Sequence, residues 1–282
     1  MKTKTKNMLF LLLMLLVIFA MPVTSRAEQE ADKVTGGVDV SVLSAYIWRG
    51  QELTRSSVVF QPSATISYKG LTFNAWGNLD TKPYSAAGAN YGGKHTETDL
   101  TISYSKALGM VQVGGGYIYY ALGAPYSGAA APLDSQEIFV TVGLNTLLSP
   151  TLTAYKEIDH YHQWYFLLGV SHTFALHEKV GLKLAATASY LVSNDENTYA
   201  RYDSSSVATT DKYNNFHDGT VSISIPVAVT KSLTVTPTAS YVFPLSDDAK
   251  YEMKGRGLQG AVSPADRSSS YLYGGVTLSF AF

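Results

Sequence analysis

Apolar side chains recur at every second position along most of this chain, in segments of roughly ten residues, and that pattern removes most folds from consideration. It begins with Val38, Val40 and Val42, separated by Asp39 and Ser41, and continues to Tyr46 and Trp48. A period of two puts successive side chains on opposite faces of an extended strand. Twelve such segments can be traced. About ten residues is what a tilted strand needs to cross a bilayer. Beyond Met21 no stretch approaches the roughly 18 consecutive apolar residues of a membrane helix. Helical membrane proteins are therefore excluded. The expected fold class is all-β: a closed antiparallel transmembrane barrel of about twelve strands.

One face of the segments is apolar: Val58, Phe60, Ala64, Ile66 and Tyr68 in the second, Ile138, Val140, Val142 and Leu144 in the sixth, Val221, Ile223, Ile225, Val227 and Val229 in the tenth. This is the face assigned to lipid. The opposite face carries Thr72, Asn74, Thr101, Ser103, Gly114, Gly116, Thr141, Thr153, Ser222, Ser224 and Thr238. Connections alternate in length, as they do between the periplasmic and outer rims of bacterial barrels. Lys69-Gly70, Lys106 to Gly109, Leu147 to Pro150, Ala175 to Lys179 and Thr230 to Ser232 are short. Arg49 to Ser57, Asp80 to His95, Ala121 to Asp134, Ser193 to Asp218 and Pro244 to Ser269 are long, with Asp159 to His162 a short exception. Residues paired across a hairpin share a face. Tyr68 and Leu71 therefore need an even turn, and Val229 and Leu233 an odd one, as their spacings allow. Pro226 and Pro237 lie inside segments and cannot donate to a ladder, so bulges are expected beside the turn at Lys231.

The chain opens with Lys2, Lys4 and Lys6, an apolar run from Met8 to Met21, and Ser25-Arg26-Ala27. This layout predicts a cleaved signal peptide over residues 1–27, with the barrel over 28–282. The chain has no cysteine and a formal net charge of −1. Neither a cysteine-linked lipid nor a basic nucleic-acid surface is expected. Aromatic residues gather at segment ends, as in the belts of membrane proteins. Tyr68, Tyr104, Phe174, Phe280 and Phe282 fall at the periplasmic end; Tyr46, Trp48, Tyr117, Tyr119, Trp164, Tyr190, Tyr241 and Phe243 fall at the outer end.

The last segment, Val276, Leu278, Phe280 and Phe282, ends on an aromatic carboxy-terminus. It resembles the assembly signal read by the barrel-assembly machinery of the bacterial outer membrane. Ala45 to Gln51, Gln61-Pro62-Ser63 and Asn74 to Asn78 together resemble the start of the TorF-type porins. That resemblance covers about the first 50 mature residues. It implies a location and a fold, and carries no functional residues across.

No catalytic group is expected. Ser171 and His172 point to opposite faces of a strand and cannot act as nucleophile and base. Glu157, Asp159, His160 and His162 cluster in one loop without the spacing of a defined metal site, so a solvated turn is the expectation there. No metal or cofactor is expected. The candidates at the lumen and its mouth are Arg49, Asp99, Glu137, Glu157 and Lys183, sparse and mixed in sign. Arg49, placed near Glu52 and Arg55, either filters solutes or braces a folded loop through a salt bridge. Trp76, Tyr155 and Tyr165 face inward and can narrow the lumen. The small polar inner face is unlike a side-chain-filled core and points to a narrow, weakly ion-selective pore for small hydrophilic solutes. A structural or surface-binding barrel and a lipid-modifying enzyme are the alternatives. The expected partners are outer-membrane lipid, lipopolysaccharide, the assembly machinery and small solutes.

Overall fold

The computed structural model describes residues 33–54, 57–82, 92–124, 131–256 and 267–282. The segment expected as a signal peptide, residues 1–27, and Arg55 lie outside them. Among the described residues twelve strands form the wall. They are β1 (Thr35–Leu43), β2 (Val59–Tyr68), β3 (Leu71–Asp80), β4 (Lys94–Leu108), β5 (Val111–Leu122), β6 (Ser135–Leu144), β7 (Thr151–Glu157), β8 (Gln163–His177), β9 (Val180–Ser193), β10 (Asn214–Ser224, resuming at Val227–Ala228), β11 (Leu233–Pro244) and β12 (Tyr271–Ala281). Each pairs antiparallel with its neighbour in sequence, and β1 pairs with β12, which closes the barrel.

Closure leaves no strand edge, so every ladder group in the wall has a partner strand, the condition for crossing hydrocarbon without water. The apolar face is turned outward: Val140 is 62 % exposed, Leu152 50 % and Leu272 77 %. In water such a surface would aggregate; in lipid it is the solvated one. The barrel is an outer-membrane architecture.

Turn chemistry sets the register. Tyr68 pairs with Leu71 across Lys69 and Gly70, whose φ values are 50° and 85°. Two consecutive positive φ angles make a turn whose twist matches that of the flanking strands. Across Thr230 to Ser232, the Val229 amide donates to the Leu233 carbonyl at 2.9 Å, closing the odd turn. Two other turns fall later than expected: β4 runs to Leu108 and turns through Gly109-Met110, and β8 runs to His177.

The prolines are accommodated without the expected bulges. Ser224 pairs with Thr238 and Val227 with Val235, so the two residues between them on β10 match two on β11 and the register never shifts. Pro226 and Pro237 keep their carbonyls in use, accepting from the amides of Gly181 and Ile225 at 3.0 Å each. The strand lapses locally, and each proline forgoes one donor.

At the closing seam, Gly275 pairs with Leu43, and an added Cβ there would stand 1.9 Å from the Val42 carbonyl oxygen. Gly275→Ala is expected to force β1 and β12 apart, costing about 1–3 kcal/mol as overpacking does. The check is the urea midpoint of the refolded barrel, read by its mobility without boiling; an unchanged midpoint would show that the seam gives way freely.

Tyr46 and Trp48 depart from expectation. β1 ends at Leu43, and the chain then bends through Arg49 (φ 46°) and Gly50 (φ 75°), pairing Ile47–Trp48 with Gln51–Glu52 in a small hairpin. Tyr46 is buried, 8 % exposed, and packs against Trp76 with ring centroids 5.6 Å apart. Neither ring joins the outer aromatic belt: the alternation that assigned them to lipid stops where the strand stops.

Candidate functional site

The hairpin carries Arg49 into the barrel, where its guanidinium meets Glu137 of β6 in a fork of two hydrogen bonds, both 2.7 Å. Glu137 is 1 % exposed and also accepts from the Tyr120 hydroxyl at 2.9 Å. The guanidinium lies 4.3 Å from the ring centre of Tyr165, 4.6 Å from Trp48 and 5.1 Å from Tyr155. A planar cation suits such stacking, and the bidentate contact fixes its orientation. Arg49 braces the in-folded loop, and its partner lies 88 positions along the chain rather than at Glu52.

Two cavities flank this layer. The one nearer the outer loops has a volume of about 300 Å³ and touches Leu53, Pro132, Tyr161 and Arg256. The other, about 280 Å³, reaches mid-strand residues Ile118, Leu167, Thr187 and Thr220. Trp48 and Tyr120 line both and so partition them.

The other loop that contributes is the last. Helix α1 (Asp247–Arg256) packs Met253 against Gly50, whose added Cβ would meet the Met253 Cε at 2.9 Å. Glu252 on α1, fully buried, accepts from the Tyr199 hydroxyl at 2.6 Å and the Gln51 amide at 3.1 Å, and pairs with Arg256 at 3.0 Å. Its other oxygen lies 2.9 Å from Nε2 of His217, whose Nδ1 lies 2.9 Å from Asp218. Carboxylates only accept, so a ring held between two of them carries both protons. Burial pushes the Glu252 carboxyl up, but His217 and Arg256 outweigh it and hold the group below the ordinary carboxylate range. Asp218 closes the chain of contacts onto the wall, accepting from Tyr165 and Ser189 at 2.8 Å each.

The other expected residues separate into distinct surroundings. Glu157 accepts from the amides of residues 159 to 162 at 2.6–3.1 Å and from Ser135, so it holds its loop together. Asp99 faces inward on β4, two positions from Glu97. Lys183 faces inward on β9, opposite Thr173 and Ser224. His172 lies on the lipid side, bonded to the Leu147 carbonyl at 2.8 Å, while both nitrogens of His217 are taken by carboxylates. The His217 ring is therefore not left to activate a hydroxyl. Glu97, Glu252, His217 and Arg256 were not among the expected site residues; the buried-type residues Met253, Tyr199 and Tyr213 in polar loops were the available signal.

Below the layer the wall is a ladder of small hydroxyls and amides bonded to one another along the sheet. Ser41 meets Thr277 at 2.8 Å, Ser67 meets Thr72 at 2.8 Å, Asn74 donates to Ser63 at 2.8 Å, and Thr153 donates to Thr141 at 3.0 Å.

With its closed wall, apolar exterior and polar interior, the chain is a bacterial outer-membrane β-barrel. Its fold is similar to that of the NanC porin, with a TM-score of 0.53 at 10 % identity over 86 % of this chain and 98 % of that one. An outer-membrane channel from Pseudomonas putida F1 gives 0.47 at 9 % identity, over 92 % and 100 %. No protein-family model and no curated protein matches the sequence.

Proposed function

We propose that this barrel is a channel for small hydrophilic solutes, narrowed where the first outer loop lays Arg49 across it. The observation that carries the reading is the hydroxyl ladder: the lower wall satisfies its polar groups along the sheet, and its side chains are too short to fill a twelve-stranded lumen. The charges support weak selection. Arg49 and Glu137 cancel, Glu157 is consumed by its loop, and Asp99 and Lys183 oppose each other in sign. In this reading Val276, Leu278, Phe280 and Phe282 present the assembly signal to the barrel-assembly machinery, and the outer face contacts lipid and lipopolysaccharide. The first-hairpin residues support kinship with the TorF-type porins, and His217, held between two carboxylates, supports a non-catalytic protein.

A sealed structural barrel is the second reading, favoured by the Trp48–Tyr120 partition between the cavities. Swelling of protein-loaded liposomes separates them. Rapid swelling in a pentose and slow swelling in a trisaccharide are expected; no swelling with folded protein would overturn the channel.

A further inference from the structure

We propose that the cavity between the outer loops binds a small organic cation, an ammonium group held by Glu97 with Asp99 behind it and enclosed by aromatic rings. The inference rests on the channel reading and names the class of solute that the vestibule retains.

The cavity of about 300 Å³ has rings of Tyr46, Trp48, Tyr120 and Tyr199 in its wall, together with Glu97 and Gln163. Ring faces are negative and attract cations, quaternary ammonium groups above all. The charge balance around it is uneven. Asp80 accepts from Ser57 at 2.7 Å and from the Lys82 amide at 2.9 Å, Glu137 is matched by Arg49, and Glu252 by Arg256 and His217. Arg49 is committed by the same contacts; Arg256, also in the cavity wall, lies 3.0 Å from Glu252 through an Nε that makes no hydrogen bond, and its guanidinium is stacked 3.8 Å from the Tyr199 ring centre. Glu97 is 6 % exposed, and among the described residues no lysine, arginine or histidine is paired with it or with Asp99. Asp99 keeps one oxygen, Oδ1, without a hydrogen-bond partner.

Gln163 supplies an independent observation. It lines the cavity at 3 % exposure, and its Oε1 is without a partner. Buried acceptors left unmatched are costly, and each of these needs a donor that the chain does not provide. An ammonium group answers the charge and the rings, and a hydroxyl or N–H on the same molecule supplies a donor for an unmatched acceptor; an anion would face the carboxyl pair.

Choline is the probe, and 3,3-dimethylbutan-1-ol, its uncharged carbon analogue, the control. Calorimetry on the folded full-length barrel in detergent is expected to show choline binding, with the analogue at least about tenfold weaker. Glu97→Gln combined with Asp99→Asn is expected to abolish that difference. The double substitution keeps the shape of both side chains while removing the acidic pair, and its fold is checked by gel mobility. Absence of choline binding to the unmodified protein, equal binding of the analogue, or full choline affinity in the double variant would each overturn the proposal. Conductance of the same preparation reports separately on the channel, so either reading can fail without the other.

Discussion

Replacing Arg49 with alanine is expected to raise single-channel conductance several-fold while lowering the stability of the barrel by about 3–5 kcal/mol. Both effects come from one side chain. The guanidinium spans from the in-folded hairpin to Glu137 and stacks on three rings, so its removal widens the layer between the cavities and leaves Trp48 and Tyr120, freed of that stacking, as the remaining partition. The stability loss arises because Glu137, 1 % exposed, is left buried without its partner. Adding Glu137→Ala to Arg49→Ala should therefore recover most of the stability while the conductance stays high, a coupling that a double-mutant cycle measures. Unfolding in urea reads the first quantity and planar-bilayer recording the second. Unchanged conductance in the alanine variant would mean that Arg49 does not stand in the path.

His217→Leu is expected to release α1 from the wall while leaving the strands paired. The ring is fully buried between Asp218 and Glu252, and without it two carboxylates face each other in a dry interior. Breaking a buried charge pair costs about 3–5 kcal/mol, here confined to the outer loops. Hydrogen exchange should lose protection over Asp247–Arg256 and keep it in β8 to β10; protection unchanged in α1 would contradict the account. Acid should act similarly on the unmodified protein. Glu252 titrates lower when folded than when unfolded, so its contribution is complete above the unfolded value of about 4.3 and is lost as pH falls through the folded one. Exchange in α1, corrected for intrinsic rates, should therefore rise below about pH 4.

The wall was legible because lipid imposes a period. Val58 to Tyr68 and Leu71 to Leu79 alternate cleanly, and Lys69-Gly70 fixes the pairing between them. The interior was legible only in part. Arg49 was readable as an inward charge, but its contact with Glu137 spans 88 positions that local spacing does not relate. Tyr46 and Trp48 continue the alternation of β1 in sequence although the strand ends at Leu43, because two positive-φ residues, Arg49 and Gly50, turn the chain inward just beyond them. The final loop hid its role for a similar reason. Its helix is mostly polar in sequence, with Ala249 and Met253 alone marking a buried face, and Glu252 reads as a surface residue until His217, in strand β10, is brought against it.

The most direct measurement is single-channel recording of the purified, folded protein across a salt gradient. Discrete small conductance steps are expected, with a reversal potential well short of either ideal limit and displaced modestly toward cations by the Glu97–Asp99 pair, because the remaining lumen charges are paired or opposed. A correctly folded barrel that carries no current, or one that reverses at the ideal cation or anion limit, would contradict that expectation.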